Sequence, residues 1–268
     1  MPTIAGNESL VVFKCGPFIG HKAVQEFAYD PGGGHVHPDA NHFVIFGAGE
    51  WLVRDDGYRA KWTGQHNTLL VDGKGQLGEG QMWFNGSEPL RLKARPRITR
   101  ATSAPTLDHV VGDGAEAYPR NIGLRRYTRH VLFLKPDVLI VADDILLDEP
   151  RMLELRFHPE ATQADREDGA FIMRGKQAVL RFEELTGEGV SVAAEDLAAA
   201  GREGERDSSL FTLRLSADRS HWRNAVAFSW AKTEAKPTKV TWQAEGDTWR
   251  FTAGPRAVSL DWKTGKAR

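Results

Sequence analysis

The 268 residues carry 35 Lys and Arg against 36 Asp and Glu, so no global basic field is present to draw in nucleic acid or an anionic membrane. A hydrophobic content of 41% and a charged content of 26% are those of a globular chain long enough for one large core or two small ones, and a single cysteine, Cys15, excludes an intramolecular disulfide framework. No run approaches 18 apolar residues, so no transmembrane helix is expected, and the opening MPTIAGNESLVVF lacks the basic start and continuous apolar stretch of a signal peptide.

In chain order, LVVFK at Leu10–Lys14 ended by Gly16-Pro17 reads as a strand and turn, with Cys15 a small buried residue at its end. Residues 21–28, HKAVQEFA, read as one or two helical turns. Three glycines at 32–34 follow, and no Lys-Ser/Thr pair completes a phosphate cradle around them.

The segment 32–75 concentrates chemistry. It holds four of the nine histidines, His35, His37, His42 and His66, and its aspartates include Asp39, Asp55 and Asp56. Between them lie short apolar runs at 43–46, 51–53 and 68–71, bounded by Gly or Asp, which read as strands joined by tight turns. Residues two apart on a strand share a face, so His35 and His37 can project together, with Asp55 and His66 brought alongside by neighbouring strands. Two imidazoles and a carboxylate suit zinc with one coordination position left open. The same letters allow a plainer reading: Asp55-Asp56-Gly57 is also a strong hairpin signal, and histidines such as His42, His109, His158 and His221 are usually solvated or hydrogen-bonded side chains. Local chemistry leaves the two open.

Residues 75–86, GQLGEGQMWFNG, set amides beside aromatics. Gln81 and Trp83 could hydrogen-bond and stack on a sugar, or Trp83 could pack into the core over a Gly/Gln loop. Residues 89–100, PLRLKARPRITR, would give an exposed strand one basic face, for a solvated surface or a polyanion. The stretch 125–145, RRYTRHVLFLKPDVLIVADDI, reads as two strands about Lys135-Pro136-Asp137, with Arg125, Arg126 and Arg129 as candidates for pairing with carboxylates. From Met152 onward strands recur every 8–12 residues, and only 195–202, EDLAAAGR, resembles a helix. The fold class predicted is all-β, an antiparallel sandwich of large sheets forming one domain over 1–268, with 219–268 as a peripheral strand extension. Trp222, Trp230, Trp242, Trp249 and Trp262 would fill the space between sheets.

Three ordered motifs, GHVHPDANHF (34–43), GEWLVRDDG (49–57) and HNTLLVDGKGQ (66–76), together with 125–145, resemble the β-sheet domain of heparinase II/III-like polysaccharide lyases. The resemblance is strongest over 8–160. It implies zinc as cofactor, with ligands at His37, Asp55 and His66, and a catalytic histidine at His35. Only ten residues separate Asp55 from His66, whereas some relatives carry a long insertion there that supplies a tyrosine; Tyr58 is its positional counterpart. Asn41, Gln81, Trp83, Arg125 and Arg129 become candidate substrate contacts.

The implied substrate is an acidic, uronic-acid-containing polysaccharide or oligosaccharide cut by β-elimination, and the implied setting of the parent enzyme is periplasmic or secreted. The family's α-helical toroid, which forms the other wall of the cleft, has no counterpart in these residues, so a toroid on the same or another chain is an expected partner and little turnover is expected without it. The alternative is a non-catalytic saccharide-binding module with a structural metal. A cupin-like metalloenzyme fits less well: it calls for a glutamate four or five residues after the second histidine, where Asn41 and His42 stand, and Glu50 is too distant. No G-x-S-x-G occurs for a serine hydrolase.

Overall fold

A computed structural model describes residues 8–27, 36–55, 57–58, 61–80, 93–187, 189–198 and 209–268. A small antiparallel sheet is built from β1 (Leu10–Lys14), β2 (His42–Gly47) and β3 (Glu50–Val53). Between β1 and β2 lies a short helix, α1 (His21–Glu26). Ala48 and Gly49 both take positive φ, 53° and 96°, the left-handed turn that matches the twist of the β2–β3 hairpin.

The centre of the molecule is a ten-stranded antiparallel sheet. Its members are β4 (Leu69–Val71), β5 (Arg97–Ser103), β6 (Leu107–Asp113), β7 (Leu124–Leu134), β8 (Val138–Phe157), β9 (Asp165–Glu167), β10 (Ala170–Arg174), β11 (Ala178–Glu184), β12 (Ser191–Ala198) and β13 (Ser209–Lys232). The order runs β5-β6-β7-β8-β13-β11-β10-β9, with β4 added to β8 and β12 to β13. A four-stranded meander closes the chain: β14 (Val240–Glu245), β15 (Thr248–Ala253), β16 (Arg256–Asp261) and β17 (Lys266–Ala267). The chain is thus an all-β sandwich of large antiparallel sheets, as its sequence pattern leads one to expect.

Period-two alternation sorts the central strands between two cores. On one face Tyr127, Val131 and Phe133 of β7, Leu139, Val141 and Ile145 of β8, and Val226 and Phe228 of β13 pack against Phe43 and Ile45 of β2. On the other face Leu132 and Leu134, Val138, Ile140 and Ala142, and Ala225 and Ala227 pack against Phe251, Val258 and Leu260 of the meander. Phe43, Phe157, Phe182 and Phe228 form an aromatic cluster with neighbouring centroids 5.1–5.9 Å apart. Each such ring contributes about 1.5–3 kcal/mol by leaving water.

One expectation changes. The segment read as a helix at 195–202 is strand β12 through Ala198, paired residue by residue with the start of β13. Ala-rich composition favours helix only weakly, and an available sheet edge overrides it. Position 219 lies inside β13, at an irregularity in its register with β8 between Arg219 and His221. Of the five tryptophans expected inside, Trp222, Trp230, Trp249 and Trp262 are buried and Trp242 is partly so.

Candidate metal centre

Three loops converge above the first core. The segment before β2 carries His37. The residues after β3 carry Asp55. A 3-10 turn at Thr63–Gln65 delivers His66 just before β4. One donor atom from each of His37, Asp55 and His66 lies within 4.8 Å of the other two. Oδ2 of Asp55 is 3.5 Å from Nδ1 of His66, and the His37 and His66 ring centroids are 5.2 Å apart. Tetrahedral zinc with bonds of about 2.0–2.1 Å sets its ligand atoms roughly 3.4 Å apart, a small side-chain adjustment from this arrangement.

The loops are held by buried main-chain bonds. Asn67 is the hub. Its side-chain amide donates to the carbonyls of Phe43 (2.7 Å) and Arg54 (3.4 Å), and its side-chain oxygen accepts the His158 amide at 2.7 Å. Its backbone N–H donates to Nδ1 of His42 at 2.9 Å, and its carbonyl accepts Arg129 Nη1 at 2.6 Å. Gln76 clamps Ala40 by a reciprocal pair, its Oε1 accepting the amide at 2.8 Å and its Nε2 donating to the carbonyl at 2.9 Å. Gly112 and Gly114 leave room for Asn41; a methyl group on Gly112 would stand 2.1 Å from its Oδ1.

The electrostatics favour deprotonated ligands. Burial, then the neighbouring charges of His66 and Lys61, lowers His37 to about 4, so the ring is neutral near pH 7. Burial alone would push the Asp55 carboxyl up; the adjoining His66 ring, then the charge of His42, and the Gly57 amide together hold it below the usual carboxylate range. Both ring nitrogens of His66 are buried without a hydrogen-bond partner among the described residues. An unsatisfied buried imidazole is costly, and a cation shared with Asp55 and His37 would satisfy it. The residues therefore fit a zinc-type ion.

A family model described as heparinase II/III-like, C-terminal, matches residues 3–263. The chain belongs to that family. Among solved structures, this heparinase II/III-like C-terminal chain is similar to a mutant of the heparan sulfate lyase HepC from Pedobacter heparinus, at 14% identity and a TM-score of 0.68, covering 96% of this chain and 40% of that one. It is similar also to a heparinase III gene product with methylated lysines, at 14% identity and a TM-score of 0.69, covering 97% and 39%. A third structure titled heparinase III matches at 11% identity and a TM-score of 0.59, covering 84% and 35%. These likenesses establish a shared fold, and the chain spans about two fifths of the length of the first two.

Not every residue singled out in this heparinase II/III-like sequence stands at the centre. His35, Gln81 and Trp83 lie outside the described residues. Tyr58, three residues past Asp55, is 66% exposed. Arg125 is exposed and paired with Asp148, its carboxylate partner across the β7–β8 connection. Arg129 and Asn41 are corrections: both are fully buried, where no saccharide reaches. Arg129 is occupied by Asp143 and by the carbonyls of Asn41 and Asn67, and Asn41 donates to the Tyr127 carbonyl. They brace the loops beneath the candidate ligands.

Sequence reasoning passes over Asn67 and Gln76, while His42 and His158 are the hydrogen-bonded side chains it takes them for. His158 is buried, hydrogen-bonded to Thr212 and the Gly64 carbonyl, and lowered to about 3 by burial and then by the charge of His66. The HNT and DGKGQ letters signal a motif, but their partners lie 13 to 91 residues away. A cleft of about 580 Å³ beside half-exposed Trp51, between β3 and β10, contains none of the three candidate ligands.

Proposed function

We propose that this chain is the metal-bearing sheet half of a lyase that cleaves uronic-acid-containing polysaccharide by β-elimination, with zinc held by His37, Asp55 and His66. The observation that carries it is His66: a fully buried imidazole whose two nitrogens make no hydrogen bond among the described residues, set between a carboxylate and a second imidazole in a chain of the heparinase II/III-like family. Bound there, the ion would tie three loops of the sheet face together and offer an open position to an oxygen ligand.

The elimination needs three things of the protein. A base takes the proton at C5. The electron pair of that C–H bond becomes the C4–C5 double bond as the C4–O4 bond breaks. An acid returns a proton to the departing O4. Histidine and tyrosine suit these transfers, and a group that neutralises the adjacent carboxylate stabilises the enediolate that builds up. His35, two residues before the His37 ligand, takes one transfer from the sheet side. Tyr58, exposed and close to Asp55 in sequence, would take part in another. The remaining groups would come from the wall supplied by the rest of a full-length lyase, since similar solved chains are some two and a half times as long as the match.

The test is ultraviolet detection of unsaturated product from heparan-type and alginate-type uronates, with the chain joined to a toroid domain, alongside zinc content by elemental analysis. Turnover that needs both the toroid and His35, with one zinc per chain, is expected. Zinc binding with saccharide affinity and no turnover in any assembly would make the chain a binding module. A zinc-free protein would end the assignment.

A further inference from the structure

His42 sits beside the three candidate ligands and is more buried than the half-buried His37 and Asp55, 6% exposed, its ring centroid 5.3 Å from that of the fully buried His66. By residue type and position it could be a fourth ligand. Its hydrogen bonding argues otherwise. The backbone N–H of Asn67 donates to Nδ1 at 2.9 Å, so Nδ1 presents a lone pair and carries no proton. In the neutral ring the single hydrogen is then on Nε2. Nε2 lies 3.7 Å from Oδ2 of Asp55, the same oxygen that stands 3.5 Å from Nδ1 of His66. A neutral imidazole has one lone pair in its plane, and here the Asn67 amide occupies it. His42 could ligate only by giving up that bond.

The other side of the carboxylate is also fixed. The Gly57 amide donates to Oδ1 of Asp55 at 3.0 Å, in a turn where Gly57 takes φ 82°. Asp55 is thus bracketed by a main-chain donor at one oxygen and an imidazole N–H facing the other. A movement of Oδ2 by less than about 1 Å brings the second contact into hydrogen-bond range.

We propose that His42 is a positioning residue of the metal centre. Locked by Asn67 as the Nε2–H tautomer, it serves as a donor to the Asp55 carboxylate, sets that ligand's orientation, and stays out of the coordination sphere, so that a bound ion keeps three protein ligands and one open position. The inference rests on the metal reading above. Outer donors of this kind tune metal affinity by about 10–100-fold.

Two isosteres separate the roles of the two ring nitrogens. His42→Asn keeps an acceptor for the Asn67 amide and removes the donor; His42→Gln places an amide N–H near the site of Nε2. Zinc affinity is read by competition with a chromophoric chelator, stoichiometry by elemental analysis, and coordination by the visible spectrum of the cobalt(II) form. The expected result is one zinc per chain in all three proteins, an affinity for His42→Gln within about 3-fold of the parent, and a loss of about 10-fold or more for His42→Asn. Equal affinity in all three, or a His42→Gln cobalt spectrum showing one ligand fewer, overturns the proposal. A parent chain that takes up no zinc overturns the metal reading itself and is recognised without any variant. Should the variants not fold, long-range nitrogen–proton NMR spectra of the parent decide: a proton on Nδ1 of His42 refutes the assignment, and a proton on Nε2 in metal-free and zinc-loaded protein upholds it.

Discussion

Arg129 and Asp143 meet as a bidentate pair in the interior, Nε to Oδ1 at 2.8 Å and Nη2 to Oδ2 at 2.9 Å, with neither side chain more than 1% exposed. The remaining guanidinium nitrogen donates to the carbonyls of Asn41 and Asn67, which border the candidate ligands. Removing one partner of a buried pair strands the other, at a cost of about 3–5 kcal/mol. Arg129→Met should therefore lower unfolding free energy by that amount in denaturant titrations. Arg129→Lys should recover only part of it, since a point charge cannot reproduce the fork. A loss under about 1 kcal/mol for Arg129→Met would show that the pair does not brace the fold.

Zinc and stability should be linked. An ion that binds only the folded chain adds about 2.7 kcal/mol at a free concentration 100 times its Kd. Chelator should lower the melting temperature of the parent protein, and His66→Ala should melt at the chelated temperature with or without zinc. A zinc-dependent rise that survives His66→Ala would place the ion elsewhere.

Tyr58 offers a contrast between chemistry and stability. At 66% exposure its hydroxyl belongs to no core, and substitutions at such positions generally stay within about 0.5 kcal/mol. Tyr58→Phe in a toroid-containing lyase is expected to leave melting temperature and zinc content unchanged while reducing kcat by about 10²-fold or more, the usual scale for a lost proton transfer. Full activity in that variant would remove Tyr58 from the reaction.

On the opposite face of the central sheet His109 and His130 stack, with Nε2 and Nδ1 3.0 Å apart. Burial, then the charge of Arg100, lowers His109 to about 4; burial, then His109 and Arg100, lowers His130 to about 3. Both folded values lie below the unfolded value near 6.5, so the unfolded chain binds more protons through this window. The stability they contribute is complete above about pH 6.5 and falls as the pH drops toward 4. Between pH 7 and 5 the loss should be on the order of 2–4 kcal/mol for the pair. Replacing both by Gln should flatten that part of the pH profile of urea stability. A profile of unchanged slope would mean that these rings titrate normally.

Cys15 should be inert. Its thiol is buried and pushed up to about 12, chiefly by burial, beside the carbonyls of Arg97 and Asp113. A thiol reagent at pH 8 should label it only after denaturant is added; labelling at the rate of a free thiol would contradict its placement.

What could be read from the letters was whatever repeats at short range. The runs at 43–46 and 51–53 announce β2 and β3 because apolar residues bounded by Gly and Asp leave few other uses for so short a stretch. The two strands about Lys135-Pro136-Asp137 are as plain. That His37, Asp55 and His66 gather was legible through the order of the motifs, each lying at the edge of a recognisable strand. Arg129 and Asn41 were misplaced because a polar residue on an alternating strand, or in the turn before one, looks like surface until its interior partners, Asp143 and the Tyr127 carbonyl, are known. The strand at Ser191–Ala198 was hidden by alanines whose fate depends on β13, a partner that follows it. His42 carried no local signal at all, since its tautomer is set by an amide 25 residues downstream.

Because alternate residues of β7, β8 and β13 feed two separate apolar interiors, the central sheet acts as a party wall. Stripping away the meander from residue 240 onward would lay bare Leu132, Ile140, Ala142 and Ala227 as a continuous greasy face, while the metal-side interior kept all its own contacts. A truncated protein of that kind would sooner self-associate than unravel, and any shortened version made for crystallography or grafting needs that face repainted with polar side chains first.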